Sequence, residues 1–217
     1  MTVSLVWITP DAEARIIEMA RVSAPDRQHE PAPKLIGYLI RNRHWSPFEM
    51  ANLCVGVHTT RDIGRQLLRH RSAAFQELSQ RYADVRVLGT DPVLSECRMQ
   101  HPTNRQASIP CDDEALKDQW KRAQRNIWEI AAAYYDAALK NGIAKEVARA
   151  ILPEGLTPSR LYANMSIRTA LHFCDVRGLH AGAQPEIVEI AAGVEAILRE
   201  HLPATHEAWS ANKGDEQ

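Results

Sequence analysis

The segment from Thr60 to Tyr82 reads TRDIGRQLLRHRSAAFQELSQRY and carries five arginines, Arg61, Arg65, Arg69, Arg71 and Arg81, with no lysine. A guanidinium is planar and always charged, and it meets a phosphate or carboxylate with two parallel hydrogen bonds that an ammonium cannot match. The plainer reading of such a row is a solvated basic helix face. Arginine throughout, running on into the polar turn Gln76 to Tyr82, instead points to a surface of specified geometry. On a helix Arg61, Arg65 and Arg69 form one ridge beside Gln66, with Ile63 and Leu67 on the core side. Only Asp62 and Glu77 stand close enough in sequence to neutralise that row. Arg69 and Arg71 differ by about 200° around a helix axis, so they are expected at a helix end, aimed differently.

Other chemistries find less support. Neither G-x-G-x-x-G nor G-x-x-x-x-G-K-[ST] occurs, so a bound nucleotide must be held by side chains. The four cysteines, Cys54, Cys97, Cys111 and Cys174, form no C-x-x-C pair, and they read as reduced thiols of a cytoplasmic protein. Cys111 superficially resembles a nucleophile, but Asp112 and Asp113 follow it directly, which raises a thiol pKa rather than lowering it. Nine histidines are scattered, and only His201 and His206 approach ligand spacing, so no metal site is expected.

The elements that must position the arginines follow from periodicity and breakers. Residues 10–23 and 33–43 read as helices, the first with Asp11 as its N-cap. Leu53, Val55 and Val57 alternate with smaller or polar residues, the period of a strand, over 49–59. Helix follows over 60–73, then a strand over 82–88 built on Tyr82, Val85 and Val87. A long helix over 112–140 starts at an acidic cluster and stops at Asn141-Gly142. Helices over 143–151, 158–176 and 184–200 lead to a polar, frayed tail. The expected fold is α+β, a helix-rich single domain over 1–205 around a small, mostly antiparallel or mixed sheet, with a tail over 206–217.

Composition bounds the function classes. The 217 residues carry 26 Lys and Arg against 27 Asp and Glu, a formal charge of −1. That balance disfavours a nucleic-acid binder, for which basic excess is the usual footprint. No run of about 18 apolar residues offers a membrane span, and no basic leader with an apolar core opens the chain.

Several elements occur together in an order that resembles the flavin-dependent thymidylate synthases. Arg69-His70-Arg71, seven residues, then Ser79 matches the R-H-R-x7-S signature of that family. His44-Trp45-Ser46-Pro47-Phe48-Glu49 is similar to its H-x-S/T-P-F-E element. Asn104-Arg105-Gln106, Ala148 to Pro153, Ser166-Ile167-Arg168 through His172-Phe173, and Arg177 ahead of Gln184-Pro185-Glu186 follow in family order. The resemblance implies conversion of dUMP to dTMP with FAD as cofactor and with methylenetetrahydrofolate and NADPH as co-substrates. It also implies a homotetramer with active sites shared between subunits. By resemblance FAD would meet Ser46, Arg69, His70, Arg71, Glu77, Ser166, Ile167, Arg168 and His172. The substrate would meet Gln66, Arg69, Glu77, Leu78, Ser79, Gln80, Arg81, Arg149 and Arg177, with Arg81 and Arg149 on the phosphate. Arg177 would stabilise charge developing over uracil N3 and O4, and His44 would lie near the folate or nicotinamide. Met50, Gln80 and Ser166 depart from commoner family residues, and the spacer between Arg177 and Gln184, which includes His180, is about one residue longer. A flavin-dependent methylase or hydroxymethylase of another pyrimidine nucleotide would carry much the same arginine set.

Overall fold

The computed structural model describes residues 1–28, 30, 32–179 and 182–214. A four-stranded antiparallel sheet in the order β1-β2-β6-β3 runs through β1 (Thr2–Ile8), β2 (Asn52–Thr60), β6 (Pro158–Ser166) and β3 (Ala74–Glu77). β2 is central and buried along most of its length, whereas β6 buries Leu161, Ala163 and Met165 and exposes Arg160, Tyr162 and Asn164 between them. That alternation is the strand period within the stretch expected as one helix over 158–176. The strand ends at Ser166, whose Oγ accepts the Thr169 N–H at 3.2 Å and so caps α6 (Ile167–Arg177). The outer strand β1, in a stretch given no element above, pairs along β2 with a register shift between Leu5 and Trp7.

The main core lies between this sheet and the helices α1 (Ala12–Ala20), α2 (Pro33–Arg41), α3 (Arg61–Leu67), α6 and α7 (Pro185–His201). Ile63 and Leu67 are buried there as expected, at 1% and 3% exposure. α7 crosses β1 at Gly193, where an added Cβ would stand 2.7 Å from Val3 Cβ. Overpacking of that kind costs about 1–3 kcal/mol. Gly193→Ala is therefore expected to lower the melting temperature by about 5 °C, and an unshifted calorimetric transition would contradict this packing.

Four further sequence expectations are corrected. Asp11 precedes α1 in a left-handed conformation, φ 51°, and its side chain caps nothing. α3 ends at Leu67, so Arg69 leaves the ridge. Residues 85–88 form a 3-10 turn rather than a strand, because the Asp84 side chain accepts the Arg86 N–H at 3.0 Å and closes the backbone locally. The supposed frayed tail is α8 (Pro203–Gly214), anchored by Trp209, which is buried and donates its indole N–H to Asp175 at 3.1 Å.

A second, smaller core is built under α4 (Glu114–Lys140) by Trp128 and Tyr135 with Val85, Ala148, Leu152 and Leu156. Asp113 caps this helix by accepting the Leu116 N–H, and Gly142, φ 80°, follows its end. α5 (Lys145–Ala148) and the hairpin β4 (Arg98–Gln100) and β5 (Ser108–Pro110) complete the architecture. Among the described residues no helix is long and apolar enough to cross a membrane.

Candidate active site

The arginine row is partly neutralised in the fold. Arg61 stands 3.8 Å from the Glu77 carboxylate, and Arg65 pairs with Glu154, an acid far away in sequence. The expectation that only Asp62 and Glu77 serve the row is corrected by that second pair. Arg69 and Arg71 are different: both are exposed, and neither guanidinium has a hydrogen-bond or ion-pair partner among the described residues. They follow the end of α3 on a turn closed by the Arg69 and His70 N–H groups.

Around this turn the expected residues sort into three groups. The first joins α3, the end of α6 and the start of α7. Gln66 donates from Nε2 to Gln184 Oε1 at 2.7 Å. Arg177, the last residue of α6, donates from Nε to His70 Nε2 at 3.2 Å, and the His70 ring meets Phe173 edge-on at 4.9 Å. Burial, the Arg177 charge and His172 together hold the His70 pKa below its ordinary 6.5. The imidazole is therefore neutral at pH 7 and free to accept from Arg177. Its Nε is engaged, and its two terminal amino groups have no hydrogen-bond or ion-pair partner among the described residues.

The second group surrounds the N-terminus of α6. Ser166 donates to Glu49 while capping the helix, and Arg168 meets the other Glu49 oxygen at 3.0 Å. A hollow of about 440 Å³ opens here, lined by Trp45, Glu49, Ser72, Arg168, His172 and Asp175. His172 is exposed on its rim, contrary to what its apolar neighbours Leu171 and Phe173 would suggest. Ser46 is exposed at the start of the Ser46–Glu49 turn. The Ile167 side chain is wholly buried and its N–H goes to Ala51 O at 2.9 Å.

The third group lies past the far end of β3. Glu77 accepts from Ser159 Oγ at 2.7 Å, and the Leu78 N–H extends the ladder to Arg160 O. Ser79 Oγ receives the Arg81 N–H at 3.4 Å. Arg81 faces Glu146 of α5 at 3.4 Å with both side chains more than half exposed, and Arg149 donates to the Glu146 carbonyl at 3.3 Å. Gln80, expected to line the substrate site, is buried at 3% exposure, and its Nε2 has no partner among the described residues. The Arg61–Glu77 pair links this group to α3, but among the described residues no hydrogen bond or ion pair joins it to Gln66, His70 or Arg177. β3 itself, four residues and about 10 Å long, stands between Arg71 and Ser79.

Sequence reasoning gave no role to two residues that organise these groups. Glu49 was legible as the one acid of the His44–Glu49 element, but nothing in the sequence pairs it with Ser166 and Arg168 117 and 119 positions later. Gln184 stands within a family element, but nothing in the sequence pairs its amide with Gln66, 118 positions earlier. His44 is exposed, its ring edge-on to Tyr38 at 5.9 Å. His180, in the longer spacer, lies outside the described residues.

Comparison with known proteins bears directly on this arrangement. A flavin-dependent thymidylate synthase from Synechocystis is 41% identical over 191 residues, covering 88% of this chain and 86% of that protein. A probable flavin-dependent thymidylate synthase from Paramecium bursaria Chlorella virus 1 is 38% identical, covering 91% of this chain and 90% of that one. Among solved structures, a UMP/dUMP methylase, PolB, from Streptomyces cacaoi bound with 5-Br dUMP superposes with a TM-score of 0.85 at 31% identity. It covers 97% of this chain and 94% of that one. The family model described as Thy1, thymidylate synthase complementing protein, matches residues 4–204, and the chain belongs to that family.

Proposed function

We propose that this chain is a flavin-dependent thymidylate synthase that methylates dUMP to dTMP. FAD is its cofactor, with methylenetetrahydrofolate as carbon donor and NADPH as reductant. It works in the cytoplasm as a homotetramer with active sites between subunits. The observation that carries the reading is the unpartnered pair Arg69 and Arg71 on the arginine-histidine-arginine turn of a Thy1 chain. Two free guanidiniums suit the diphosphate of a dinucleotide, whose charge would be costly to desolvate without bidentate partners.

The donor set beside them suits FAD as well. Ser46, Glu49, Arg168 and His172 offer donors and acceptors around a hollow with the Trp45 ring on its wall. FAD held there would supply the redox chemistry of the reaction, the reducing equivalents for the methyl group. Arg177 directs its two free amino groups at uracil N3 and O4, where negative charge develops as C5 becomes nucleophilic. A fixed cation aimed there acts in the transition state and needs no covalent enzyme nucleophile. Cys111, at 3% exposure with its thiol turned to Asp113 O, takes no part.

His70 is the residue that orients Arg177, and this gives a pH dependence. Protonated His70 cannot accept from Arg177 and repels it. The kcat profile is thus expected to fall on the acid side below pH 6.5, the ordinary histidine value that His70 undercuts. His70→Gln, which presents an amide oxygen at every pH, removes that acid limb. A limb unchanged in the variant would contradict the role.

The Ser79–Arg81 turn and Arg149 receive the substrate phosphate. The division of the arginines between the turns before and after β3 supports completing each site with a neighbouring copy. So does the exposed stripe Ile127, Ile130 and Tyr134 on α4, at 55%, 61% and 68% exposure, which offers an apolar face for association.

The UMP/dUMP methylase neighbour favours a second reading, in which UMP is also accepted. Turnover measured on dUMP, UMP and dCMP separates the two. A preference for dUMP is expected. Preference for UMP or dCMP would assign the chain to the second reading.

A further inference from the structure

The β4–β5 hairpin brings together two cysteines that the proposed chemistry does not use. Its register pairs Arg98 with Pro110, Met99 with Ile109 and Gln100 with Ser108. The next rung outward sets Cys97 directly across from Cys111. Opposed residues of an antiparallel pair have Cα atoms about 4.5–5.5 Å apart, within the range that a disulfide spans without backbone movement. Both cysteines are free thiols in the structure. Their side chains lie close enough for Cys111 to help raise the Cys97 pKa.

The two thiols are also differently exposed, as a two-step oxidation needs. Cys111 is buried at 3% exposure and its Sγ donates to Asp113 O at 3.7 Å. Cys97 is half-buried and lines a hollow of about 660 Å³ together with Arg98, Gln106, Trp120 and Gln184. A small oxidant can therefore reach Cys97 first. Cys54 and Cys174 are buried on β2 and α6, and Cys174 donates to Ala191 O within the core, so neither competes.

We infer that Cys97 and Cys111 form a reversible intramolecular disulfide that staples the base of this hairpin when the protein meets a hydroperoxide. The Cys97 sulfur attacks the O–O bond, becoming a sulfenic acid as the alcohol (water, for hydrogen peroxide) departs. The Cys111 sulfur then displaces the sulfenic oxygen as water. In sum two thiols and one hydroperoxide give one disulfide, one alcohol and one water, and a dithiol reductant reverses the bond by exchange. Burial and the neighbouring Cys111 raise the Cys97 pKa, so little thiolate exists at pH 7 and the bond forms faster as pH rises. The staple sits next to Arg98, whose guanidinium pairs with Glu186, two residues beyond the Gln184 that holds Gln66. Oxidation therefore fixes an element adjoining the Gln66–Gln184 contact.

The test treats the intact protein with hydrogen peroxide, blocks remaining thiols under denaturation and digests it with trypsin without reductant. The expected product is one linked species joining residues 87–98 to 106–117. Dithiothreitol should return both peptides as thiols, with Cys54 and Cys174 alkylated throughout. Cys111→Ser should abolish the link and leave Cys97 as a sulfenic acid that dimedone traps. If that variant does not fold, the wild-type digest decides alone. Cys97 and Cys111 both still alkylated after peroxide, or linked to any other cysteine, would overturn the inference. It is independent of the flavin chemistry, so its failure leaves the proposed function standing.

Discussion

Arg177→Ala is expected to lower dTMP formation a hundredfold or more while FAD remains bound. Removing one charge-stabilising donor aimed at a transition state typically costs about 3 kcal/mol, equivalent to a hundredfold to a thousandfold in rate. The structure makes the loss specific. Arg177 ends α6 and is tethered through Nε to His70, so its remaining amino groups are held rather than free to swing. Arg69, Arg71 and Arg168, which we propose hold the cofactor, lie elsewhere on the turn and on the first turn of α6, so flavin retention should survive. Single-turnover measurements with the flavin spectrum monitored distinguish the outcomes. Turnover within a fewfold of wild type would remove Arg177 from the chemistry. Loss of flavin would make it a cofactor ligand instead.

Arg81→Ala is expected to raise the dUMP dissociation constant about tenfold to a hundredfold. A hydrogen bond to a charged group contributes roughly 1.5–3 kcal/mol, and a phosphate dianion leaves that deficit unfilled. The pairing of Arg81 with Glu146 does not argue against this. Both side chains are more than half exposed, and such pairs are worth about 0–1 kcal/mol, so a phosphate readily displaces the carboxylate. The Ser79 hydroxyl and Arg149 stand beside it as further partners. Isothermal titration with dUMP gives the constant directly, and an unchanged value would exclude Arg81 from the phosphate site.

The elements with an unbroken period were legible in sequence, and those decided by remote contacts were not. Leu53, Val55 and Val57 announced β2, and the acidic start and Asn141-Gly142 stop of α4 fixed that helix nearly to the residue. In β6 the alternation of Leu161, Ala163 and Met165 was present, but it runs into α6 at Ser166 without Gly or Pro. The two periods therefore read as one helix. Val85 and Val87 have strand character, yet Asp84 captures the backbone into a turn and Arg86 reaches Asp136 on α4 at 3.0 Å. α8 looked like a polar tail because its buried face is made of small or polar-edged residues, Ala204, Thr205 and Ala208, with the single large ring of Trp209, which is held by Asp175 of α6.

The site divides along the same line. Its residue types and order were readable, because the arginines clustered around Arg69-His70-Arg71 stand in the order of a known family's motifs. What each one touches was not. Arg65 is taken by Glu154, Arg81 by Glu146 and Arg168 by Glu49, all acids distant in sequence. Only the fold reveals that Arg69 and Arg71 remain without partners among the described residues, and that His70 is kept neutral beside Arg177. Gln80 was placed in the substrate site from its position in the motif, and its burial was not legible there.

The most direct test of the account is the yield of dTMP when the purified protein is given dUMP, methylenetetrahydrofolate and NADPH, with and without added FAD. The account predicts dTMP formation that is abolished in FAD-stripped protein and restored by FAD. Protein that takes up no flavin and forms no dTMP under either condition would contradict it.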